Sequence, residues 1–473
     1  MSQASLPIFD FSPFVGHSER YVALIKQFAA AGPFRSATVD ELLLDDDFHR
    51  RPLRPEDFDF LKFMKPVREH NVSRLPALAS GRTLMSIYEL DVARPPADWQ
   101  RFADFYREDT RELGAQIAPF LEAYAFEYLT KDVDTGEDTR AVSARLTHIV
   151  DEELAFWSAT FERLMRNDYL EQGLRFIMVQ RWALAVSKRR ALARAGASGF
   201  FDMLAPDERP SLHRQVPDDA LFERVAEASC ITRRQHAYWQ FYLPTSTAKC
   251  NLLYALARRP DRAFGLIGAA FAAEAEWLAF GLALERACAH LQPASRGPAD
   301  SDALRAALEQ RCARALRRVA QDFGDPARAQ CVQGVVAGQR LAERGRWDLG
   351  EQLRWLSSIR DYVSFAHRIS SRIDAECPGI DRETFVEPHE MCSTTHVHND
   401  HRLVTIEEGD MLFWGNVGMQ LSMHKGDMVL IPDGRLHGST VVSNECTYHQ
   451  PIIPNEWVEA LVAELDEPAA AST

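Results

Sequence analysis

The spacing of hydrophobic positions changes once along the chain and predicts two kinds of structure. Up to about residue 372 the apolar positions recur with the period of a helix, as in "ERYVALIKQFAAAG", "FGLIGAAFAAEAEWLAFGLALERACAHL" and "DALRAALEQRCARALRRVAQDF". Beyond "AECPGIDRET" the pattern differs, because the short alternating stretches "MLFWGN", "MQLSMH" and "DMVLIP" are separated by turn residues. The chain is therefore predicted to begin with a helical part and to end with a small all-β domain.

Turn residues divide the helical part once more. The stretch "ADWQRFADFYREDTRELGAQIAPFLEAYAFEYL" predicts a long helix, and "DVDTGEDT" then breaks the helical pattern. We predict a helical region over residues 1–138, a helical bundle over 139–372 and a β domain over 373–473. The length of 473 residues agrees with three domains of about 150 residues each. The predicted fold class is multidomain α+β.

Charge and cysteine usage narrow the possible functions. The net charge of -14 argues against nucleic-acid binding, so the basic stretch "KRRALAR", residues 188–194, is predicted to be the solvated face of a helix. The eight cysteines are scattered without a C-x2-C pair, and the first residues lack a signal-like pattern. We found no apolar run of about 18 residues. These features predict a cytoplasmic protein that spans no membrane.

Five of the chain's 15 histidines lie between Thr394 and Gly438. In a strand, His396 and His398 would project to the same side, about 7 Å apart. A third ligand can come from His437, which ends a G-x5-P-x-G-x2-H pattern that starts at Gly426. The H-x-H pattern alone favours a polar strand edge, but the two patterns together resemble the paired motifs of a metal-binding cupin barrel.

The predicted ligand set contains three histidines. Many cupins place a glutamate ligand four residues after the second histidine, where this chain has Arg402. An arginine side chain is permanently cationic and has no lone pair to offer a metal. Three neutral imidazoles leave coordination positions open for oxygen and substrate, which suits iron(II), with copper or nickel as alternatives.

Four other histidines near aromatic or turn residues are interpreted separately. Strand alternation points His401 away from the predicted ligands and His424 lies at a turn, so both are predicted to be surface residues. His449 is left unassigned. His236, in the aromatic run "HAYWQFY", is predicted to be a core residue.

Several motifs occur in the order found in a known family. They are "LMSIYELDV", "FLEAYAFEYL", "DDALFERV", "HAYWQFYL", "WDLGEQLRWL", "THVHNDH" and "RLHGSTVVSNECTYH". In these motifs and their order, nearly the whole chain resembles the N-nitroso synthases of streptozotocin biosynthesis and their relatives. The resemblance implies a dimerisation region, then a haem-oxygenase-like diiron oxidase that hydroxylates guanidine nitrogens of an N-methylated arginine. It also implies a cupin whose single iron, held by His396, His398 and His437, rearranges the hydroxylated guanidine with oxygen into an N-nitrosourea.

The bundle departs from the family pattern. Glu274 and, less securely, Glu208 match ligand carboxylates, but Lys188 stands at another carboxylate position and Asp218 at a histidine position. The stretch "DALRAALEQRCARALRRV" has no histidine where the family has an H-x3-D-x2-H helix. A lysine in place of a ligand removes a donor and adds repulsion. We therefore predict a degenerate bundle in which a diiron centre is unlikely.

The leading hypothesis is a homodimeric, cytoplasmic, iron(II)-dependent cupin oxygenase of natural-product biosynthesis. It would use O2 to form or rearrange an N–N bond on an N-hydroxylated guanidine or a related nitrogen-rich amino-acid derivative. One alternative is a two-step enzyme with an active diiron N-hydroxylase domain as well as the cupin. Another is a non-catalytic cupin scaffold that binds a small molecule.

Overall fold

The structure is a computed structural model of the full chain. It describes residues 9–31, 58–61, 65–90, 107–213, 218–231, 236, 238–291, 299–389, 391–417 and 419–465.

Most of the described chain before residue 377 is helical. The helices of this part are α1 (Ser18–Ala31), α2 (Leu75–Glu89), α3 (Glu108–Thr130), α4 (Thr139–Arg166), α5 (Leu170–Ala197), α6 (Asp219–Ala228), α7 (Pro244–Arg258), α8 (Ala263–Ala287), α9 (Ser301–Phe323), α10 (Asp325–Ser357) and α11 (Ile359–Glu376). Short 3-10 helices cover Ser12–Phe14, Glu69–Asn71, Phe200–Met203, Trp239–Phe241, Pro260–Arg262 and Ala289–Leu291.

Local sequence signals explain where several of these helices begin. The side chains of Asp138 and Asp300 accept hydrogen bonds from the N–H groups of Ala141 (2.8 Å) and Ala303 (3.0 Å), which are N-terminal caps. The predicted helices in "ERYVALIKQFAAAG", "FGLIGAAFAAEAEWL" and "DALRAALEQRCARALRRV" are confirmed. The predicted helix in "ADWQRFADFYREDTRELGAQIAPFLEAYAFEYL" is confirmed from Glu108 onward, and residues 97–106 lie outside the described residues.

Helix α8 lies at the centre of the helical part and packs closely on α10. A Cβ atom added to Gly268 would lie 1.9 Å from the carbonyl oxygen of Cys331, and one added to Gly334 would lie 2.0 Å from that of Gly265. Glycine is therefore required where the two backbones meet. Residues Pro260–Ala287 are long and apolar enough to cross a membrane, but their most apolar window is entirely buried inside the protein. This burial identifies α8 as a core helix.

The chain after α11 forms two antiparallel sheets and a last helix. The strands are β1 (Thr384–Pro388), β2 (Cys392–His396), β3 (His401–Glu408), β4 (Met411–Asn416), β5 (Met419–Met423), β6 (Met428–Ile431), β7 (His437–Val441), β8 (Glu445–His449) and β9 (Ile452–Ile453), followed by α12 (Asn455–Ala463). One sheet has the order β1-β8-β3-β6, with β9 also paired to β3, and the other has the order β2-β7-β4-β5. The sheets form a half-barrel, so the predicted α+β class is confirmed.

Two hydrophobic cores hold the protein together. The larger core runs through the helices on both sides of residue 138, and the smaller joins α11, Trp355 and Leu356 to the inner faces of the sheets. Val397 and Leu436, which flank the predicted histidine ligands, belong to the larger, helical core. The domain boundaries at 138 and 372 stay predictions. What matters for the site is that the histidine segments pack on helices.

Candidate metal centre

Strand pairing brings the three predicted ligands together. His396 is the last residue of β2, His437 is the first residue of β7, and the two lie directly opposite each other in the antiparallel register. His398 follows two residues after the end of β2, so the expectation that both histidines of the H-x-H motif lie inside a strand is wrong in detail. The chain turns at Pro432–Arg435, where Gly434 has a φ of +70° and its N–H donates to the carbonyl oxygen of His398 (2.9 Å).

The three imidazoles face one point. One nitrogen of each ring lies within 4.8 Å of the corresponding nitrogens of the other two rings. The ring centroids of His396 and His437 are 4.4 Å apart, and those of His398 lie 4.8 and 5.0 Å from the two others. Three nitrogen donors this close together could hold a single metal ion.

The surroundings of His437 leave its outer nitrogen free to act as a ligand. Its Nδ1 lies 2.8 Å from the carbonyl oxygen of Arg435, which can accept but not donate, so Nδ1 carries the proton. Its Nε2 is buried and has no hydrogen-bond partner among the described residues. A hydrogen bond of this kind behind the ring is what usually fixes the tautomer of a metal-bound histidine.

Burial keeps two of the rings neutral. The pKa of His437 lies well below its ordinary value because the ring is buried and because His396 is close. Burial also lowers the pKa of His398, and the nearby His396, His437 and Arg402 lower it further. A neutral imidazole offers its lone pair to a cation, whereas an imidazolium cannot.

Arg402 lies close to the histidines but faces a carboxylate of its own. Its guanidinium forms an ion pair with Glu383 and donates to the carbonyl oxygen of Gln450 (3.1 Å). The side-chain amide of Gln450 in turn lies 3.5 Å from Nε2 of His398. The position where many cupins carry a glutamate ligand therefore supplies a cation, as predicted.

The neighbouring histidines have different surroundings. The prediction that His401 is a surface residue is wrong: it is 8% exposed, and its Nδ1 accepts a hydrogen bond from the N–H of Asp433 (2.9 Å). His424 is exposed as predicted and lies 2.7 Å from a carboxylate oxygen of Asp410. His449, left unassigned, contacts Thr384 (2.9 Å). None of these three joins the ligand triangle.

In the bundle, Glu274 faces cations. Its side chain is fully buried, and one carboxylate oxygen accepts a hydrogen bond from the N–H of Ser211 (2.6 Å). The ammonium of Lys188 lies 3.6 Å from this same oxygen, and the other oxygen forms an ion pair with Arg311 of α9. Lys188 is 1% exposed, so the prediction that "KRRALAR" forms a solvated face is wrong at its first residue. Two side-chain cations thus surround the best-matched carboxylate.

Glu208 and Asp218 have structural roles. Glu208 accepts a hydrogen bond from the N–H of Ala205 (3.0 Å), and Arg318 lies 3.8 Å from the same oxygen. Asp218 caps α6 by accepting from the N–H of Leu221 (2.9 Å). Among the described residues, neither glutamate joins a group of three or more ligand-type side chains. His236 is buried between two tyrosines, as expected of a core residue.

A second charged cluster in the bundle is also paired internally. It includes Glu153, which lines a small cleft and accepts a hydrogen bond from Arg346 (3.1 Å). Glu276, two residues after Glu274 on α8, forms an ion pair with Lys249 and lies 3.3 Å from Arg181. The guanidinium of Arg181 is in turn covered by aromatic rings, the nearest centroid 4.6 Å away. Both carboxylates of this cluster are therefore paired with cations of the chain.

The fold and the histidine cluster together define a class of protein. It is a multidomain α+β protein whose C-terminal sheets bring three histidines into an arrangement that could hold a metal ion.

Comparison with known proteins then gives a particular relative. The chain is 27% identical over 446 residues to the nitrosourea synthase of Streptomyces achromogenes subsp. streptozoticus, an alignment that covers 89% of this chain and 92% of that protein. No protein-family profile matches the chain. The length of the alignment supports the relationship to N-nitroso synthases that the motifs predict.

Proposed function

We propose that the protein is an iron-dependent oxygenase of the cupin type that forms or rearranges an N–N bond in natural-product biosynthesis. Its substrate would be an N-hydroxylated guanidine or a related nitrogen-rich amino-acid derivative, with O2 as cosubstrate. The observation that carries the proposal is the convergence of His396, His398 and His437 on one point, with the outer nitrogen of His437 free.

The donor set fits iron(II). Three neutral imidazole nitrogens suit first-row divalent metals, and they leave coordination positions open. Iron(II), when bound, would supply the oxygen and redox chemistry. The residues of the chain would hold the metal, fix the tautomer of His437 and orient the substrate beside Arg402, which lies near His398 and is itself paired with Glu383.

Similarity to a nitrosourea synthase supports the N-nitroso type of chemistry. The contacts of Glu274 support a division of labour, because a carboxylate engaged by Ser211, Arg311 and Lys188 has its oxygens committed to donors of the chain. We therefore propose that another enzyme carries out the N-hydroxylation. We propose further that the protein is a homodimer in the cytoplasm, which sedimentation of the purified protein and fractionation of its host cells would test.

The test combines metal analysis with a supplied substrate. Anaerobically iron-loaded protein should contain about one iron per chain, and the His396→Ala variant should lose it. An N-hydroxylated guanidine amino acid should then be converted with uptake of oxygen by the wild type. Two or more irons per chain, mostly kept in the variant, would support the two-step alternative. A loaded protein that binds the compound without consuming oxygen would support the binding scaffold.

A further inference from the structure

Each of the three histidines has a chain neighbour that is hydrogen-bonded to the helical part. Thr395 precedes His396, Leu436 precedes His437, and Asn399 follows His398. The partners of these neighbours come from α2 and α10, far away in sequence. Because these hydrogen bonds hold the backbone next to each ligand, they help to fix the positions of the three imidazoles.

Arg82 of α2 holds the segment that ends in His396. It is 1% exposed, and it donates to the carbonyl oxygen of Thr395 (2.7 Å) and to the Thr395 hydroxyl (3.0 Å). It also donates to the carbonyl oxygen of Gln240 (2.8 Å), which ties the same point to the 3-10 helix Trp239–Phe241 before α7. Both terminal nitrogens of this buried guanidinium donate to fixed acceptors, so the side chain has little freedom and the contact fixes the end of β2 against the helices.

Gln352 of α10 holds the segment that begins with His437. Its side chain is fully buried; Oε1 accepts from the N–H of Leu436 (2.9 Å), while Nε2 donates to the carbonyl oxygens of Leu436 (3.0 Å) and Gly415 (3.3 Å). Leu436 stands between Arg435, whose carbonyl oxygen sets the tautomer of His437, and His437 itself. One amide from the helical part thus fixes the backbone between a ligand and the group that orients it.

Arg74, at the start of α2, makes a third and more exposed contact. It donates to the carbonyl oxygen of Asn399 (2.5 Å), and it forms an ion pair with Asp433 (2.5 Å) in the turn before His437. Its side chain is 33% exposed, so this pair should contribute less than the two buried contacts.

Hydrophobic packing also joins the ligand segments to the helical part. Val397, between the first two ligands, is 1% exposed, Leu436 is fully buried, and both belong to the hydrophobic core of the helical part. Trp414, whose ring would lie 2.7 Å from a Cβ added to Gly438, belongs to it as well. The side of the sheets that carries the ligands is therefore continuous with the helical core.

We propose that Arg82 and Gln352 are positioning residues of the metal centre, and that the helical part acts as the scaffold that sets the triangle of histidines. The inference rests on the metal centre of the proposed function. It gives the helical part a role that requires no metal of its own, which agrees with the cations around Glu274.

The test measures metal affinity and coordination geometry rather than turnover. The full-length protein is titrated with cobalt(II), whose visible absorption reports the ligand geometry, as wild type, Arg82→Met and Gln352→Met. Loss of a residue that supports a ligand from behind typically lowers metal affinity by about 10–100-fold. We expect a loss of that size in both variants, together with a changed absorption spectrum.

A matched control uses the same substitution on the same helix. Gln333 is 2% exposed and lies about five turns before Gln352 on α10. Gln333→Met should bind cobalt(II) like the wild type. If either methionine variant does not fold, as judged by circular dichroism, the milder Arg82→Lys and Gln352→Asn replace it, since both keep a polar group but cannot remake the same contacts.

The outcomes separate this inference from the proposed function. Folded Arg82 and Gln352 variants with wild-type affinity and spectrum would overturn the scaffold role and leave the metal centre intact. A wild-type protein whose cobalt binding does not depend on His396 would overturn both. A loss of affinity equal to that in Gln333→Met would also overturn the inference, because general loosening of α10 would then explain it.

Discussion

The fold buries two clusters of ligand-type side chains, and they differ in what surrounds the donor atoms. In the sheets, the outer nitrogen of His437 has no partner among the described residues, and burial keeps the ring neutral. In the bundle, Glu274 is equally buried, but its oxygens are engaged by Ser211, Arg311 and Lys188. Burial alone therefore does not make a metal site. The donor must also keep a free lone pair.

A third buried ionisable group, the carboxyl of Asp348, is neither a candidate ligand nor paired with a cation by a salt bridge within the described part of the chain. Asp348 of α10 is fully buried, accepts a hydrogen bond from the Thr245 hydroxyl (2.8 Å), and has one oxygen without a hydrogen-bond partner among the described residues. Burial raises the pKa of this carboxyl to about 6, although Arg435 lowers it in part. The protein thus keeps histidines neutral, pairs one carboxylate with cations and raises the pKa of another by burial.

The largest expected effect is loss of metal from the histidine cluster. His398→Ala and His437→Ala should each reduce bound metal to near zero, because removing a direct ligand should cost more than the about 10–100-fold typical of residues behind the ligands. Elemental analysis of the purified variants checks this. His424→Ala is the control, since His424 is exposed and contacts Asp410. Equal loss in that control would mean that the measurement reports damage to the sheets.

In the bundle, the expected effect is on stability instead. Arg311→Leu leaves the buried carboxylate of Glu274 with Lys188 at 3.6 Å, and removing one partner of a buried ion pair costs about 3 kcal/mol. Urea unfolding measures the change, and the metal content should stay at the wild-type value. The triple variant Arg311→Leu, Glu274→Leu, Lys188→Met should recover much of the loss, because none of the three charges of this cluster is then left without its partner.

A control for this substitution lies on the same helix. Arg314 pairs with Asp207 at 3.1 Å but is 35% exposed, so Arg314→Leu should change the free energy of unfolding by less than about 1 kcal/mol. If Arg311→Leu kept full stability, or if the variant bound additional metal, Glu274 would be available as a metal ligand and the ion pair with Arg311 would not be needed for stability.

The metal centre was predictable because its signals are local. The H-x-H pattern lies at the end of one strand, and the Pro-Asp-Gly turn leads into His437 at the start of the neighbouring strand, so short spacings encode the convergence of the ligands. The exact end of β2 was not predictable, because the side chains of the motif fit a strand or its end equally well. The exposure of His401 was predicted wrongly, because alternation along one strand does not show that the turn containing Asp433 covers the ring.

Contacts between distant segments left no signal in the sequence. Arg82 and Thr395 are separated by 313 positions, and Gln352 and Leu436 by 84. An arginine in a helix or a glutamine among polar residues has the same pattern whether it is solvated or buried against a sheet. Lys188 was predicted to be solvated from its basic neighbours for the same reason. Its match to a ligand position was the better guide to its burial.

The raised pKa of the buried Asp348 carboxyl predicts that the stability of the protein depends on pH. Because the pKa of the folded state, about 6, lies above the ordinary value of 3.8, the unfolded chain releases this proton first as the pH rises. The carboxyl therefore contributes stability below about pH 4 that is lost as the pH rises through 6, a difference of about 3 kcal/mol. Relative to Asp348→Asn, the wild type should become less stable over that range in urea unfolding. Parallel pH profiles would show that the carboxyl is already ionised.

The smallest expected effect concerns the cation beside the metal centre. Arg402→Gln removes a guanidinium that is 14% exposed and contributes to the low pKa of His398, and a cation that disfavours the imidazolium also disfavours a metal ion. Metal affinity should rise about fivefold, or ~1 kcal/mol, because the charge is already offset by Glu383. Competition with a chelator at two salt concentrations measures the change.

The salt dependence and an Arg368→Gln control show whether the gain in metal affinity of Arg402→Gln is electrostatic and local. The gain should shrink at high salt if it is electrostatic, since counterions screen a partly exposed charge. Arg368→Gln should show no gain, because Arg368 is 51% exposed on α11 and pairs with Glu464. If Arg402→Gln weakened metal binding instead, Arg402 would act through Gln450, whose carbonyl oxygen accepts its N–H and whose amide contacts His398. The residue that replaces the usual glutamate would then support a ligand from behind, and its positive charge would be the cost of that support.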